Sequence, residues 1–310
     1  MPTATHNTNA HARTSLGLRR GYAHRMTLAL YRRYRPASFS ELIGQEHVTG
    51  PLTRSLETKS VHHAFLFSGP RGCGKTSSAR ILARSLNCEE GPTPNPCGKC
   101  QSCIDLTPNG IGSVDVIEID AATHGKVDNA RELRESAAFV PVNSRYKIYI
   151  IDEAHELSTD AQNALLKLVE EPPEHLKFVF ATTQPEKIPS TIKSRTHHYP
   201  FRLVGLDVLS EHLGEVSKKE GISFESAALA LIATSAEGSV RDSLSLLSQL
   251  ASGMPKEGLT IEFVAAQLGL TPNHLIEQTL KSLSAGDGAA LFETIDSVVS
   301  AGIEDRKSVV

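Results

Sequence analysis

The chain has 310 residues, 40% of them hydrophobic and 22% charged, with a formal net charge of −3. This is an ordinary soluble composition, long enough for two or three domains, and no run of 18 or more apolar residues offers a membrane span. The mild negative balance by itself indicates no nucleic-acid partner, although residues 1–40 contain seven arginines and no Asp or Glu.

Residues 1–25 are polar, poor in core-forming side chains and without periodicity, and they read as a disordered extension. An Arg-rich, acid-free leader also fits a transit peptide, or a start placed upstream of Met26. It lacks the apolar core of a secretory signal. That favours the cytoplasm, where cysteines stay reduced and bind metal more often than they pair. From about Leu42 to Phe201 short β-rich runs alternate with amphipathic helical patterns, the mark of an α/β unit with a parallel sheet flanked by helices. The expected strands are Ala64–Ser68, Val114–Asp120, Lys147–Ile151 and Phe178–Thr182. Expected helices include Thr76–Leu86, Val127–Ala138 and Thr159–Glu170, the last stopping at "EPPE" because Pro172 and Pro173 cannot continue it. Beyond Phe201 helical patterns take over, as in "ESAALALIATSA" and "GSVRDSLSLLSQLAS". One domain boundary is expected near Leu203–Leu206 and another near Gly269–Pro272, giving units 26–204, 205–268 and 269–310. The last is too short to bury a core of its own and reads as a fragment.

In chain order, the first chemical motif is "GPRGCGKT", Gly69, Pro70, Arg71, Gly72, Cys73, Gly74, Lys75 and Thr76, between an expected strand and an expected helix. Its glycines let backbone N–H groups curl around phosphates where a Cβ would obstruct the turn. Lys75 is suited to the β and γ phosphates, Thr76 to Mg²⁺, and the helix N-terminus adds partial positive charge. Cys73 reads as a small packing residue. Next, Cys88, Cys97, Cys100 and Cys103 follow the spacing C-x₈-C-x₂-C-x₂-C among Gly and Pro turns, which suits a structural tetrahedral Zn²⁺ with no open position for water. An iron–sulfur cluster or free thiols are the other readings of these four residues. "KIYIIDEAH" supplies Asp152 for Mg²⁺ and Glu153 to orient or deprotonate a water, a pairing that argues for hydrolysis of a nucleotide rather than its storage. Thr183 stands at a strand end, where its hydroxyl could sense a γ-phosphate or simply cap the strand. Arg195 and Arg241 each have the fork geometry for a phosphate or a surface carboxylate.

Together "GPRGCGKT", the Cys₄ module, "IIDEAH", "ATT", "SR", "GSVRDSLS" and the opening "YRRYRPASFSELIGQEHV" resemble the gamma/tau subunits of bacterial DNA polymerase III, clamp-loader ATPases of the AAA+ superfamily. The resemblance runs from about Leu30 to Ser300. It implies an AAA+ P-loop domain with a zinc knuckle, a small all-α lid domain and the start of a helical collar. It implies ATP with Mg²⁺, Thr183 as first sensor, Arg241 as second sensor, and Arg195 as an arginine finger reaching a neighbour's ATP. It places adenine near Tyr31–Pro36 and Ile43–Val48. As partners it implies delta, delta-prime and further gamma/tau copies in a hetero-pentamer, the sliding clamp and primed DNA, with no membrane. Lys126 and His124 would meet the duplex, or would be a solvated helix terminus. Thr196 stands where the family usually has cysteine, and after "SAGIE" this chain ends at "DRKSVV" where the family continues through its collar. Rival readings are another AAA+ DNA-remodelling motor such as one for branch migration, a nucleotide-dependent zinc-bearing scaffold, and, least supported, a small-molecule kinase.

Overall fold

The computed structural model describes residues 28–124, 137, 139–270 and 273–300. The helix expected at Val127–Ala138 lies outside those residues except for Ala137. Five strands form one all-parallel sheet in the order β2-β3-β4-β1-β5: β1 Ala64–Ser68, β2 Val116–Asp120, β3 Lys147–Asp152, β4 Leu176–Thr182 and β5 His197–Pro200. A short helix α1, Leu30–Arg33, comes first, and with the sheet go α2 Glu46–Glu57, α3 Lys75–Asn87, α4 Gln101–Asp105, α5 Ala121–His124, α6 Thr159–Glu170 and α7 Ser190–Lys193.

The central strands β1, β3 and β4 are buried along nearly their whole length and mostly apolar, because both faces are covered. Phe65, Phe67, Ile148, Ile150, Val179 and Ala181 face one core with Val48 and Leu52 of α2 and Leu82 and Leu86 of α3. The alternate residues Leu66, Tyr149, Ile151, Phe178 and Phe180 face a second core with Leu165 and Val169 of α6 and Ile192 of α7. Helix α6 occupies the span expected of it, started by Ser158, whose Oγ accepts from Ala161 N at 3.3 Å.

Strand β3 runs one residue past its expected end and β4 starts two residues before its expected start, and two further departures have local causes. Strand β5 escapes a hydrophobicity reading because "HHYP" buries only Tyr199, and an edge strand needs a single apolar face to dock. Strand β2 begins at Val116 rather than Val114. Val114 is exposed, and the buried Asp115 turns its carboxylate to accept the N–H groups of Val142, Asn143 and Ser144 at 2.7, 2.8 and 2.8 Å. Burial opposes ionisation of Asp115, yet these donors hold its carboxyl below the ordinary range. A depressed carboxylate pKa contributes stability above its unfolded value and loses that contribution as pH falls through the folded one. Asp115→Ala should therefore cost about 1–3 kcal/mol near neutral pH, because water reaches the exposed donors and softens the loss. In denaturant titrations the gap from the parent should narrow below about pH 4; a gap as wide in acid as at pH 7 would contradict this account of the carboxylate.

A helical domain follows: α8 Leu206–Glu220, α9 Ser226–Ser235, α10 Val240–Ser252 and α11 Ile261–Leu268, closed by Gly269 at φ 65°. Its core of Leu213, Ile232, Leu247 and Val264 includes Leu30 of α1, so the start of the described chain packs onto the lid. Arg33 pairs with Glu220 there, and the Tyr34 hydroxyl donates to the same carboxylate at 2.7 Å. A few residues on, Phe39 and Leu42 enter the first sheet core. The segment Leu30–Leu42 thus straddles both bodies. Beyond the lid lie α12 Asn273–Ala285 and α13 Gly288–Ser300.

Candidate functional site

In a parallel sheet the strand ends gather on one edge, and the ligand crevice opens there. Ser68 of β1 is in register with Thr182 of β4, and Asp120 of β2 with Asp152 of β3. A cleft of about 1010 Å³ opens beside these ends, between the loop Arg71–Ser77, the Tyr31–Ile43 segment and lid residues His212, Arg241 and Leu244.

The loop after β1 is held by backbone conformations open to glycine. Gly69, Gly72 and Gly74 have φ of 138°, 78° and 103°. A Cβ at Gly69 would lie 2.3 Å from the Phe201 carbonyl, and one at Gly72 would lie 2.0 Å from Ser239 Oγ of the lid. Lys75 reaches back across this turn, its Nζ donating to Gly69 O and Pro70 O at 2.7 Å each, so the ammonium lies inside the curl. Cys73 is buried and donates to Pro70 O at 2.8 Å, a packing role within the loop. The residues present fit a polyphosphate: a curl closed to side chains, an ammonium at its centre and a 13-residue helix starting at Lys75.

On the acidic side, Thr76 Oγ1 donates to Asp152 Oδ2 at 2.7 Å, joining two oxygen ligands of the kind Mg²⁺ takes. Glu153 follows in the left-handed region at φ 48° and ψ 47°, which costs an L-residue roughly 1–2 kcal/mol. That turn carries its carboxylate to the end of β4. There Oε2 accepts from Thr183 N at 3.1 Å and from Thr183 Oγ1 at 2.9 Å. His155, its side chain 4% exposed, stands behind it, Nδ1 lying 3.3 Å from Glu153 Oε2 and 3.0 Å from Thr182 Oγ1. Sequence reasoning passed over His155, although its place beside the two acids was a usable signal.

The arginines separate by position. Arg241 lines the cleft, its backbone N–H donating to Gly72 O at 3.3 Å and its guanidinium lying 5.2 Å from the centre of the Tyr31 ring. Arg195 does not line the cleft. It pairs with Glu170 at 3.0 Å and donates to Thr191 O at 2.9 Å on the α7 side of the sheet. A further cation, Arg35, was missed as an individual: it lines the cleft and donates through Nε to Ser77 Oγ at 3.1 Å. Burial, then repulsion from Arg80, lowers its pKa. The only sequence signal was its place in "YRRYRP". Of the two residues read as DNA contacts, Lys126 lies outside the described residues, and for His124 only the backbone, at the end of α5, is described.

The cysteines come together away from the cleft. Cys88 caps α3, Cys100 precedes α4 and Cys103 lies within it. All four sulfurs lie within 4.8 Å of one another, with Cys97 and Cys103 at 3.9 Å. A tetrahedral zinc with Zn–S near 2.3 Å spaces its sulfurs by roughly 3.8 Å, so the donor set fits the ion in type and size. Backbone N–H groups of Lys99 and Cys100 lower Cys97 to about 7, whereas burial pushes Cys103 up to about 12.

A phosphate loop at the strand-end edge of a five-stranded parallel sheet, with a helical lid over its mouth, defines a P-loop protein of the AAA+ fold. The same fold recurs in the solved Thermotoga maritima RuvB Holliday junction branch migration motor, at TM-score 0.59 and 21% identity over 87% of this chain and 86% of that one. Residues 44–204 match the family "DNA polymerase III, delta subunit", and residues 208–253 match "DNA polymerase III clamp loader subunit, ATPase lid domain". The chain is 54% identical over 280 residues to DNA polymerase III subunit gamma/tau of Mycobacterium bovis, covering 90% of this chain and 48% of that protein. It is 42% identical to subunit tau of Escherichia coli, covering 89% of this chain and 42% of that one, and 41% identical to subunit tau of Bacillus subtilis, covering 91% and 49%. The chain belongs to the gamma/tau family of DNA polymerase III subunits, and it spans about half the length of these relatives. Among its described residues no helix is long and apolar enough to cross a membrane.

Proposed function

We propose that the chain is an ATP-hydrolysing motor subunit of the DNA polymerase III clamp loader, acting in the cytoplasm with delta, delta-prime and further gamma/tau copies in a hetero-pentamer that places the sliding clamp on primed DNA. The observation that carries this reading is the joining of Thr76 to Asp152 beside Glu153, at the mouth of the phosphate loop, in a chain of this family.

Lys75 would exchange the Gly69 and Pro70 carbonyls for β- and γ-phosphate oxygens, and the loop N–H groups would hold the rest of the chain of phosphates. Thr76 and Asp152 would hold Mg²⁺, which supplies charge neutralisation for the phosphates when bound. Glu153 takes the proton of the attacking water. Thr183 holds its carboxylate, and we propose it as the group that also senses the γ-phosphate. Arg241 extends from the lid into the same cleft, which makes lid position depend on the terminal phosphate. Arg195, held on the outer face by Glu170, suits a site on a neighbouring subunit. Cys88, Cys97, Cys100 and Cys103 would hold a structural Zn²⁺, a closed ligand set that leaves no place for reacting water. Lys126 and His124 are proposed as duplex contacts on the resemblance alone.

Turnover measured with partner subunits should rise when clamp and primed DNA are added together. Stimulation by four-way junctions instead would favour a branch-migration motor, and nucleotide binding without turnover would favour a scaffold.

A further inference from the structure

Among the described residues, the buried polar side-chain atoms with no hydrogen-bond partner are Arg84 Nε, Ser85 Oγ and Ser217 Oγ. The first two lie on α3 within one turn of Cys88. Arg84 is 9% exposed, yet the arginine ion pairs among the described residues are Arg33–Glu220, Arg80–Glu118 and Arg195–Glu170, and no described carboxylate lies within 4.0 Å of Arg84. Among the described residues its guanidinium makes one hydrogen bond, a long one, from Nη1 to Ala37 O at 3.3 Å. A guanidinium cannot discharge itself by losing its proton, so burial without a counter-charge is unfavourable.

The other end of the guanidinium supplies the answer. A Cβ built on Gly98 would lie 3.6 Å from Arg84 Nη2, and Gly98 stands directly after Cys97, two residues before Cys100. Arg84 therefore packs against the knuckle backbone between Cys97 and Cys100. A divalent ion held by four thiolates leaves two negative charges uncompensated. We propose that Arg84 is the counter-cation of the cysteine knuckle, pinning it to the phosphate-loop helix and, through Ala37, to the segment that walls the nucleotide cleft. This rests on the reading that the four cysteines hold zinc. Arg84 acts as a positioning residue for that site, and the electrostatic benefit runs both ways: the metal centre supplies the charge that the buried arginine lacks.

The sign of two effects separates this role from mere packing. Zinc affinity of the full chain, measured by competition with a chromophoric chelator, should fall roughly 10- to 100-fold in Arg84→Met, while Arg84→Lys stays close to the parent. In the zinc-stripped chain, Arg84→Met should melt no lower than the parent, because it removes a buried charge that has lost its partner. With zinc loaded the order should reverse. Should Arg84→Met not fold, Arg84→Gln compared with Arg84→Lys gives the same contrast of charge lost against charge kept. Equal zinc affinity in parent and Arg84→Met, or an equal fall in melting temperature with and without zinc, would overturn the assignment while leaving the metal site standing. A parent chain that takes up no zinc overturns the metal reading and Arg84's role together.

Discussion

Glu153→Gln should bind ATP almost as the parent does and turn it over about 10²- to 10⁴-fold more slowly, the range that a positioned general base contributes. Glutamine keeps the size of the side chain and can still accept from Thr183 through its amide oxygen, so the end of β4 stays in place. What it loses is the basic oxygen proposed to take the water's proton. The proposed phosphate-binding parts, Lys75 and the glycine curl, are separate groups on the loop after β1, which is why affinity should survive. Steady-state phosphate release together with binding of a fluorescent ATP analogue measures the two quantities. Parallel loss of affinity and turnover would mean that Glu153 holds the site together rather than reacting in it.

The second large effect is expected at Arg195. Arginine fingers contribute about 10³–10⁵ in kcat where they stabilise charge on a transferring phosphoryl group. Arg195→Ala should therefore abolish most turnover in the assembled loader and leave nucleotide affinity of the isolated chain unchanged, since its guanidinium lies on the outer face with Glu170 and outside the chain's own cleft. In assemblies mixing variant and parent copies, the defect should appear at the ATP of the adjoining subunit. If Arg195→Ala weakens binding in the isolated chain, the residue serves its own site and the trans reading fails. Arg241→Ala is the natural contrast, because Arg241 borders the cleft within one chain.

Much of this was legible without coordinates because the chemistry is local. A phosphate curl needs glycines at fixed steps, and Gly69, Gly72 and Gly74 meet that need through their own backbone angles. Buried parallel strands must be continuously apolar, so Ala64–Ser68 was located to the residue. Cysteine spacing announced a four-thiol centre for a similar reason: short turns limit which sulfurs can meet. What escaped were features whose energy comes from a distant element. "HHYP" becomes a strand only because β1 offers it an open edge, and Asp115 leaves the β2 run only because a loop 27 residues away presents its N–H groups.

The sequence by itself determined the phosphate-loop motif, the four clustered thiols and the family, since each depends on residue types at short separations. Tertiary structure alone decided which groups share a site: Glu153 meets Thr183 across two strand ends, Arg241 reaches the cleft from the lid whereas Arg195 faces away, and Arg84 is buried against the knuckle. The reason is that charge and hydrogen-bond energies fall off over a few ångströms in space. Separation along the chain places no such limit on which residues come within that range.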